Sequence, residues 1–405
     1  MTASLDGIRV IDWTIFQQGP VASSMLGDLG AEVIKIEQRI TGDPGRGFTS
    51  IMGLPATAVG QRNFYYEANN RSKKSITLDI KKEQGREVLY RLVRKSDVFI
   101  HNFRQGVPEE VGLGYEQLSQ VNPLLIYGCA SGYGPEGPEC QRPSFDPVGL
   151  ARTGFLDICG IPDMPPQYPP GGMADQMGGI MLAYGVLAAL VTRERQGIGQ
   201  KVDVSHIGSM MWLQSLSIHQ FLINGKEPPR HKRDRAANPL NNYYRCGDGK
   251  WIFPAIMQPD RHWAEFCQCM GLEYLVKDPR FIDSQCRRKN REELITLLDN
   301  LFAQQPAAEW ATRLRRGRNL VFEIVNSISD IVNDPQVKAN EYIVEMDHPT
   351  WGPTKMVNTP IRLSKSHGKI TRPAPEFGQH TEEVLQEIGE YSWQEIIALK
   401  EAEVI

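Results

Sequence analysis

No G-x-G-x-x-G run follows the first strand-like segment of this 405-residue chain; Gln17-Gln18-Gly19-Pro20 stands in its place. That disfavours a dinucleotide-dependent redox enzyme, because those glycines are what let a backbone approach a pyrophosphate. G-x-x-x-x-G-K-[ST] is also absent, which excludes an ordinary P-loop phosphoryl-transfer enzyme, and without G-x-S-x-G an α/β-hydrolase is weakened. Cysteine is sparse: Cys129, Cys140, Cys159, Cys246, Cys267, Cys269 and Cys286 are odd in number and form no C-x-x-C pair. They read as reduced thiols of a cytoplasmic protein. Cys267-Gln268-Cys269 is too isolated for a zinc site, which needs about four ligands, so no metal and no permanently bound cofactor is expected. No run approaches the roughly 18 apolar residues that would span a bilayer. The N-terminus has no basic region ahead of an apolar one, so secretion is not expected. The net charge is only −3, which argues against a general nucleic-acid partner. The basic cluster Arg230 to Arg235 reads as a solvated loop.

What is present is an alternation of strand and helix patterns in the first half. Ile8 to Asp12, Ala31 to Glu37, Ser75 to Asp79, Val98 to His101 and Leu124 to Cys129 read as short buried strands. Helical stretches lie between them, including one from Gln17 through Leu29 and one over Lys82 to Lys95. A later strand over Gln200 to Val204 precedes an apolar helix over Ser205 to Leu222. This rhythm predicts an α/β fold, a doubly wound Rossmann-like large domain with ligands beyond the carboxyl ends of its strands. Gly225 to Pro239 is polar and proline-rich, a linker into a smaller inserted α+β module. The expected division is 1–224 for the N-terminal part of the large domain, 225–335 for the small domain with its linkers, and 336–405 for the return to the large domain. The tail carries a strand-like stretch from Lys355 to Leu363 and two helices.

One carboxylate stands out. Asp175 lies in Gly171-Gly172-Met173-Ala174-Asp175-Gln176-Met177-Gly178-Gly179, after a proline-heavy loop and before an apolar helix over Ile180 to Val191. Glycines on both sides leave room for a bulky ligand, and a helix N-terminus behind the carboxylate favours its ionised form. An ionised, sterically open carboxylate without an obvious acid/base partner suits a nucleophile. A plain helix N-cap is the competing reading of the same residue.

Several segments together resemble the class III CoA-transferases, the family of formyl-CoA transferase and carnitine CoA-transferase. They are Leu5-Asp6-Gly7-Ile8-Arg9-Val10, Gly30 to Glu37, Ser75 to Asp79, Asn102-Phe103-Arg104, Ser131-Gly132-Tyr133-Gly134, Gly197 to Val204 and His380-Thr381. The resemblance implies that Asp175 attacks an acyl-CoA thioester to give an aspartyl anhydride. CoA thiolate then forms an aspartyl-CoA thioester, and an acceptor acid reverses the sequence. Glycine-loop amides, with Gly171-Gly172 and Gly178-Gly179 as candidates, would stabilise the oxyanions. Coenzyme A thioester is then a substrate, and the carry-over places its contacts at Gln17, Gln18, Gln38, Arg39, Leu78, Lys81, Asn102, Phe103, Arg104, Arg142 and Phe145. Arg39 would substitute for the Arg that relatives have near Gln38, and Lys81 would meet a phosphate. The family also implies an interlocked homodimer, with a heteromer containing a paralogous subunit as the variant. The partners expected are acyl-CoA and carboxylic acids, with no nucleic acid and no membrane.

Two departures qualify the resemblance. Glu110 stands where relatives carry an Arg for CoA phosphate, and the region of Asn238 to Tyr244 lacks a tetraglycine loop. The second departure disfavours formate and oxalate and points to a wider pocket bordered by Ile15, Phe16, Tyr243 and Tyr244. A medium or aromatic acid fits that reading, for example benzylsuccinate with succinyl-CoA as donor; carnitine and a 2-hydroxy acid are others. A 2-methylacyl-CoA racemase is the nearest rival. Racemisation needs proton carriers on both faces of the α-carbon, and the run Ser144-Phe145-Asp146 has phenylalanine where such an enzyme has histidine. A non-catalytic partner subunit and an acyl-CoA hydrolase are the remaining alternatives.

Overall fold

The computed structural model describes residues 2–57 and 62–405. Six strands form one fully parallel sheet: β1 (Arg9–Trp13), β2 (Glu32–Glu37), β3 (Lys73–Thr77), β4 (Val98–His101), β5 (Ile126–Ser131) and β6 (Gln200–Ser205). Their order is β3-β2-β1-β4-β5-β6. Strand order therefore reverses between β1 and β4, the point at which doubly wound folds open a ligand crevice. β4 and β5 are buried along their whole length, as a sheet covered on both faces requires.

Side-chain alternation along the strands feeds two separate cores. Val10, Val33, Val98, Ile100 and Ile126 cluster with α1 (Gln18–Asp28) and α4 (Met173–Gln196). Ile11, Ile34, Phe99 and Tyr127 cluster on the other face with α2 (Glu83–Arg94) and with Val384, Leu385 and Ile396 from the C-terminal helices. The C-terminal tail also covers the outer edge of β3. His380 N donates to Ser75 O at 2.9 Å, and Ser75 N donates to His380 Nδ1 at 3.1 Å, so β3 presents no open row of backbone groups there.

α4 differs from its sequence reading. It starts at Met173, seven residues ahead of Ile180, and runs for 24 residues. By length and composition it is apolar enough to cross a membrane, contrary to the expectation that no segment would qualify. Its apolar side is instead used within the unit, where Leu182, Val186 and Leu190 pack on the sheet. Gly178 and Gly179 look like loop residues in the sequence, yet both are helical and buried. A Cβ at Gly178 would lie 2.5 Å from Gln18 Nε2, and one at Gly179 2.8 Å from the Gln18 carbonyl. Close packing of α4 against α1 explains these glycines.

Three smaller shifts follow local chemistry. The third strand is Lys73–Thr77, with Leu78 just beyond its end. The apolar segment after β6 divides at Gln214 into α5 (His206–Leu213) and α6 (Ser215–Asn224). Gln214 donates its side-chain amide to Thr153 O at 2.8 Å. In the tail, Gly352–Val357 pairs antiparallel with Ile343–His348 and ends ahead of Pro360.

The chain divides into two compact units. One comprises Met1–Cys159, Pro166–Pro228 and Asn340–Ile405; the other comprises Gly160–Pro165 and Pro229–Ala339. The sequence reading puts these boundaries at 224/225 and 335/336. The smaller unit has a three-stranded antiparallel sheet of Tyr244–Arg245, Trp251–Pro254 and Phe322–Ile324. Its own core includes Tyr244, Phe266, Phe302 and Trp310. Tyr244 is fully buried, stacks on Phe302 and donates its hydroxyl to Pro239 O at 2.6 Å. It is a core residue of the smaller unit, where the sequence reading has it bordering a pocket.

Candidate active site

The loop after β1 is held by the protein's own hydrogen bonds and ion pairs. Asn102, just past β4, clamps Ile15 by accepting its N–H at 2.9 Å and donating to its carbonyl at 2.7 Å. Phe16 has φ +63, a left-handed backbone that costs a non-glycine residue on the order of 1 kcal/mol or more. Its N–H donates to Asp43 Oδ1 at 3.1 Å. Asp43 is in turn paired with Lys35 at 2.8 Å, with no exposed side-chain surface on either residue. Lys35 also donates to Thr14 O at 2.9 Å. Burial alone would lower the Lys35 pKa, but Asp43, Asp12 and Glu37 together raise it. The ammonium therefore stays charged and fixes the loop from beneath.

Asp175 is the third residue of α4, inside its first turn rather than at its cap. The cap position is Gly172, at φ +68, where a Cβ would lie 2.5 Å from Gln17 Oε1. Capping is performed by Asp146, the first residue of α3 (Asp146–Arg152). Its Oδ1 accepts from Ala174 N at 2.6 Å and Asp175 N at 3.2 Å, and its Oδ2 from the Tyr168 hydroxyl at 3.1 Å. Burial raises the Asp146 pKa, and the Asp175 charge adds to that while the two amides oppose it.

The Asp175 carboxylate has a partner that sequence reasoning missed. His206, the first residue of α5, places Nε2 2.9 Å from Asp175 Oδ1, and its Nδ1 lies 3.4 Å from Ser144 Oγ. A carboxylate oxygen only accepts, so Nε2 carries the proton in this bond. The His206 side chain is 4% exposed and that of Asp175 18%. Both line a cavity of about 320 Å³ together with Ile15, Phe16, Phe48, Tyr65, Phe103 and Phe145. Burial, with Asp175, Asp43 and Asp146 behind it, pushes the Tyr65 phenol far above its ordinary value. It is a neutral hydroxyl at this wall.

The residues expected to contact CoA fall into four groups. Gln18, Asn102, Phe103, Arg104, Arg142 and Phe145 line the cavity beside Asp175. Gln17 is buried behind it and donates to Gly171 O at 3.3 Å. Leu78, Lys81 and Gln38 line a second cavity of about 280 Å³ at the ends of β2 and β3, which shares Ile15 and Phe103 with the first. Phe103 stands between the two, 4.2 Å from the Trp13 ring. Gln38 spends its side-chain oxygen on the turn, accepting from Ile40 N and Thr41 N, both at 2.6 Å. Arg39 lies apart from both cavities, facing Glu403 at 3.5 Å in a separate depression. Gly178 and Gly179 are not the donors the glycine-loop reading expected, since their amides sit inside the helical ladder. The Phe145 ring packs edge-on to Phe16 at 5.6 Å.

Sequence reasoning passed over His206, Asp146, Tyr65 and Phe48. A signal for His206 was available: it follows the last strand of the sheet directly, at a carboxyl end.

This arrangement is a carboxylate at a helix N-terminal turn, above the switch point of a doubly wound sheet, facing an aromatic cavity that shares Ile15 and Phe103 with a second one. Residues 5–381 match CoA-transferase family III, and the chain belongs to that family and is a class III CoA-transferase. The (R)-2-hydroxy-4-methylpentanoate CoA-transferase of Clostridioides difficile is 31% identical over 99% of both chains. The succinyl-CoA:glutarate CoA-transferase of Mus musculus is 32% identical over 96% of this chain and 87% of its own. A crystal structure of a CaiB/BaiF family protein from Brucella suis superposes with a TM-score of 0.84 at 30% identity, covering 96% of this chain and 100% of the other.

Proposed function

We propose that Asp175 is the nucleophile of a CoA transfer from succinyl-CoA to a medium-sized carboxylic acid. The observation that carries this reading is the position of its carboxylate: one oxygen is held by His206, and the residue lines the cavity at the N-terminal turn of α4. A carboxylate attacks a thioester without a general base and leaves well from an anhydride. The adenine of CoA would lie in the cavity at Leu78, with Lys81 at a phosphate. The pantetheine arm would pass Phe103 toward Asp175, beside Arg104, Arg142 and Phe145. Gln17, Gln18 and Asn102 hold the loop against it. The apolar walls at Ile15, Phe16 and Phe48 favour an acid with a hydrocarbon or aromatic body, such as benzylsuccinate or a branched 2-hydroxy acid. No permanently bound cofactor enters the reaction.

The test is a matrix of donors (succinyl-CoA, acetyl-CoA) against acceptors (glutarate, 2-hydroxy-4-methylpentanoate, benzylsuccinate), with mass detection of new thioesters. New thioesters from succinyl-CoA with at least one acceptor are expected. Hydrolysis of the donor with no acceptor thioester would overturn the proposal.

Glu110 lies exposed on the short helix Val107–Glu110, next to cavity-lining Val107. Its charge opposes a phosphate, so Glu110→Arg is expected to lower the acyl-CoA KM about three- to tenfold, on the order of 1 kcal/mol for an exposed charge contact. The gain should fade with added salt while kcat stays put. Steady-state kinetics at two ionic strengths checks this.

We also propose a homodimer. α6 has no buried residue, and Leu216, Leu222, Ile223 and the neighbouring Trp212 are 85, 70, 78 and 68% exposed. An apolar surface of that extent marks an interface. Light scattering is expected to give twice the 45.6 kDa chain mass; a lone protomer would refute it, and a need for a second chain would favour the heteromer. Seven unpaired cysteines support a cytoplasmic setting.

A further inference from the structure

We infer that His206 is the oxyanion donor for the steps that take place on Asp175 itself; the inference rests on Asp175 as nucleophile. Two kinds of tetrahedral intermediate occur in the proposed reaction. In the first step the thioester carbonyl is attacked, and the negative charge develops on an oxygen of the substrate. In the second, CoA thiolate adds to Cγ of the aspartyl anhydride, and the charge develops on an oxygen of Asp175. The second kind recurs when the acceptor carboxylate attacks the aspartyl-CoA thioester.

The Asp175 oxygen in question is fixed by geometry. His206 Nε2–H holds Oδ1 at 2.9 Å, so Oδ2 is the oxygen left to attack. After acyl transfer to Oδ2, Oδ1 is the carbonyl oxygen of the anhydride, still facing the same N–H. When the thiolate forms its S–Cγ bond, the π pair of that carbonyl moves onto Oδ1. When the intermediate collapses, the bond from Cγ to the acyl oxygen breaks and the donor carboxylate departs. One negative charge enters as thiolate and one leaves as carboxylate, so no proton need move. The imidazole therefore acts by hydrogen bonding, at a distance already suited to the oxyanion.

Several amides near this oxygen are engaged elsewhere. The amides of Ala174 and Asp175 are taken by Asp146, and those of Gly178 and Gly179 lie in the helix. Among the described residues, His206 is the one side chain hydrogen-bonded to the Asp175 carboxylate. The ring is held in place: a Cβ on Gly149 would lie 2.7 Å from His206 Cβ, so α3 packs directly on it, and Ser144 Oγ lies at its Nδ1. Its burial to 3% exposure removes competing water.

This role makes the two steps respond in opposite directions. A hydrogen bond to Oδ1 stabilises the resting carboxylate, so its loss leaves the first attack unchanged or slightly faster. The second step loses an oxyanion donor, which costs about 10²- to 10³-fold. The experiment mixes enzyme with succinyl-CoA alone, quenches in acid at successive times, and weighs the intact protein. Wild type is expected to show chiefly the CoA adduct. His206→Leu, which removes the donor, is expected to stall as the succinyl adduct with overall turnover reduced about 10²-fold or more. His206→Gln, which keeps an N–H, should fall between. Formation of the succinyl adduct also shows that each variant is folded. Equal slowing of both adducts, or an unchanged ratio, would overturn the inference. Absence of any adduct on the wild-type chain would overturn the nucleophile reading beneath it.

Discussion

Asp175→Ala is expected to reduce CoA transfer by about 10⁴-fold or more, the scale seen when a covalent nucleophile is removed from an otherwise intact site. The melting temperature should shift little. That pairing is informative because an N-cap residue would behave the other way. Removing a cap costs about 1 kcal/mol of stability and little chemistry. In this chain the capping bonds to Ala174 N and Asp175 N come from Asp146, so the two roles fall on different residues. Asp146→Ala should therefore lower stability by roughly that 1 kcal/mol and should slow turnover through misplacement of α4. Asp175→Asn keeps the shape and the bond to His206 but lacks the charge, and should be as inactive as alanine. Measuring kcat/KM by thioester mass detection, alongside thermal melts of all three variants, decides the matter. An Asp175→Ala protein that kept even a tenth of wild-type turnover would remove Asp175 from the mechanism.

The large domain was legible because strands buried on both faces read as short continuous apolar runs and the helices between them carry clear stops. β1, β2, β4 and β5 fall within a residue or two of where the pattern places them. Legibility failed where a residue serves two purposes. Gly178 and Gly179 carry the composition of a loop, yet their lack of a side chain is what lets α4 lie on Gln18 and Val21. The tyrosine pair Tyr243-Tyr244 looked like pocket lining next to a missing glycine loop. The pattern of a short strand, Tyr244–Arg245, put Tyr244 into a core instead. Arg39 adjoins Gln38 in the chain, but both lie past the end of β2, where the chain turns, and Arg39 faces Glu403. His206 sits directly after the last strand of the sheet, but nothing in the local sequence ties it to Asp175. It is 31 residues from Asp175 in sequence, and only the parallel placement of β6 beside β5 brings the start of α5 back to the start of α4.

Asp12→Ala is expected to cost about 3–5 kcal/mol, because it leaves a buried ammonium without its counter-charge. Lys73 Nζ lies 2.9 Å from Asp12 Oδ2, and neither side chain has exposed surface. Lys73 would keep its bonds to Pro20 O at 3.0 Å and Asn70 Oδ1 at 2.9 Å, which satisfy its protons but not its charge. Replacing both partners, Asp12→Leu with Lys73→Met, should cost less than either single change, since no lone charge remains. The pair also reaches the site. Asp12 accepts from the Thr14 hydroxyl and from Ser23 Oγ at 2.6 Å, so it ties the loop carrying Phe16 to α1. A raised KM for acyl-CoA should accompany the loss of stability. Acid offers an independent check. Burial alone would raise the Asp12 pKa, but Lys73 and Lys35 beside it hold it down to about 2, against an ordinary 3.8. A depressed carboxyl contributes stability above its unfolded value that is lost as pH falls through the folded one, here from near 4 down through 2. The difference corresponds to roughly 2 kcal/mol at neutral pH. Urea unfolding of wild type and Asp12→Asn from pH 7 to pH 2 should show a gap that is constant down to about pH 4 and narrows below it. A gap that stayed constant to pH 2 would mean that the ion pair does not hold this carboxyl ionised.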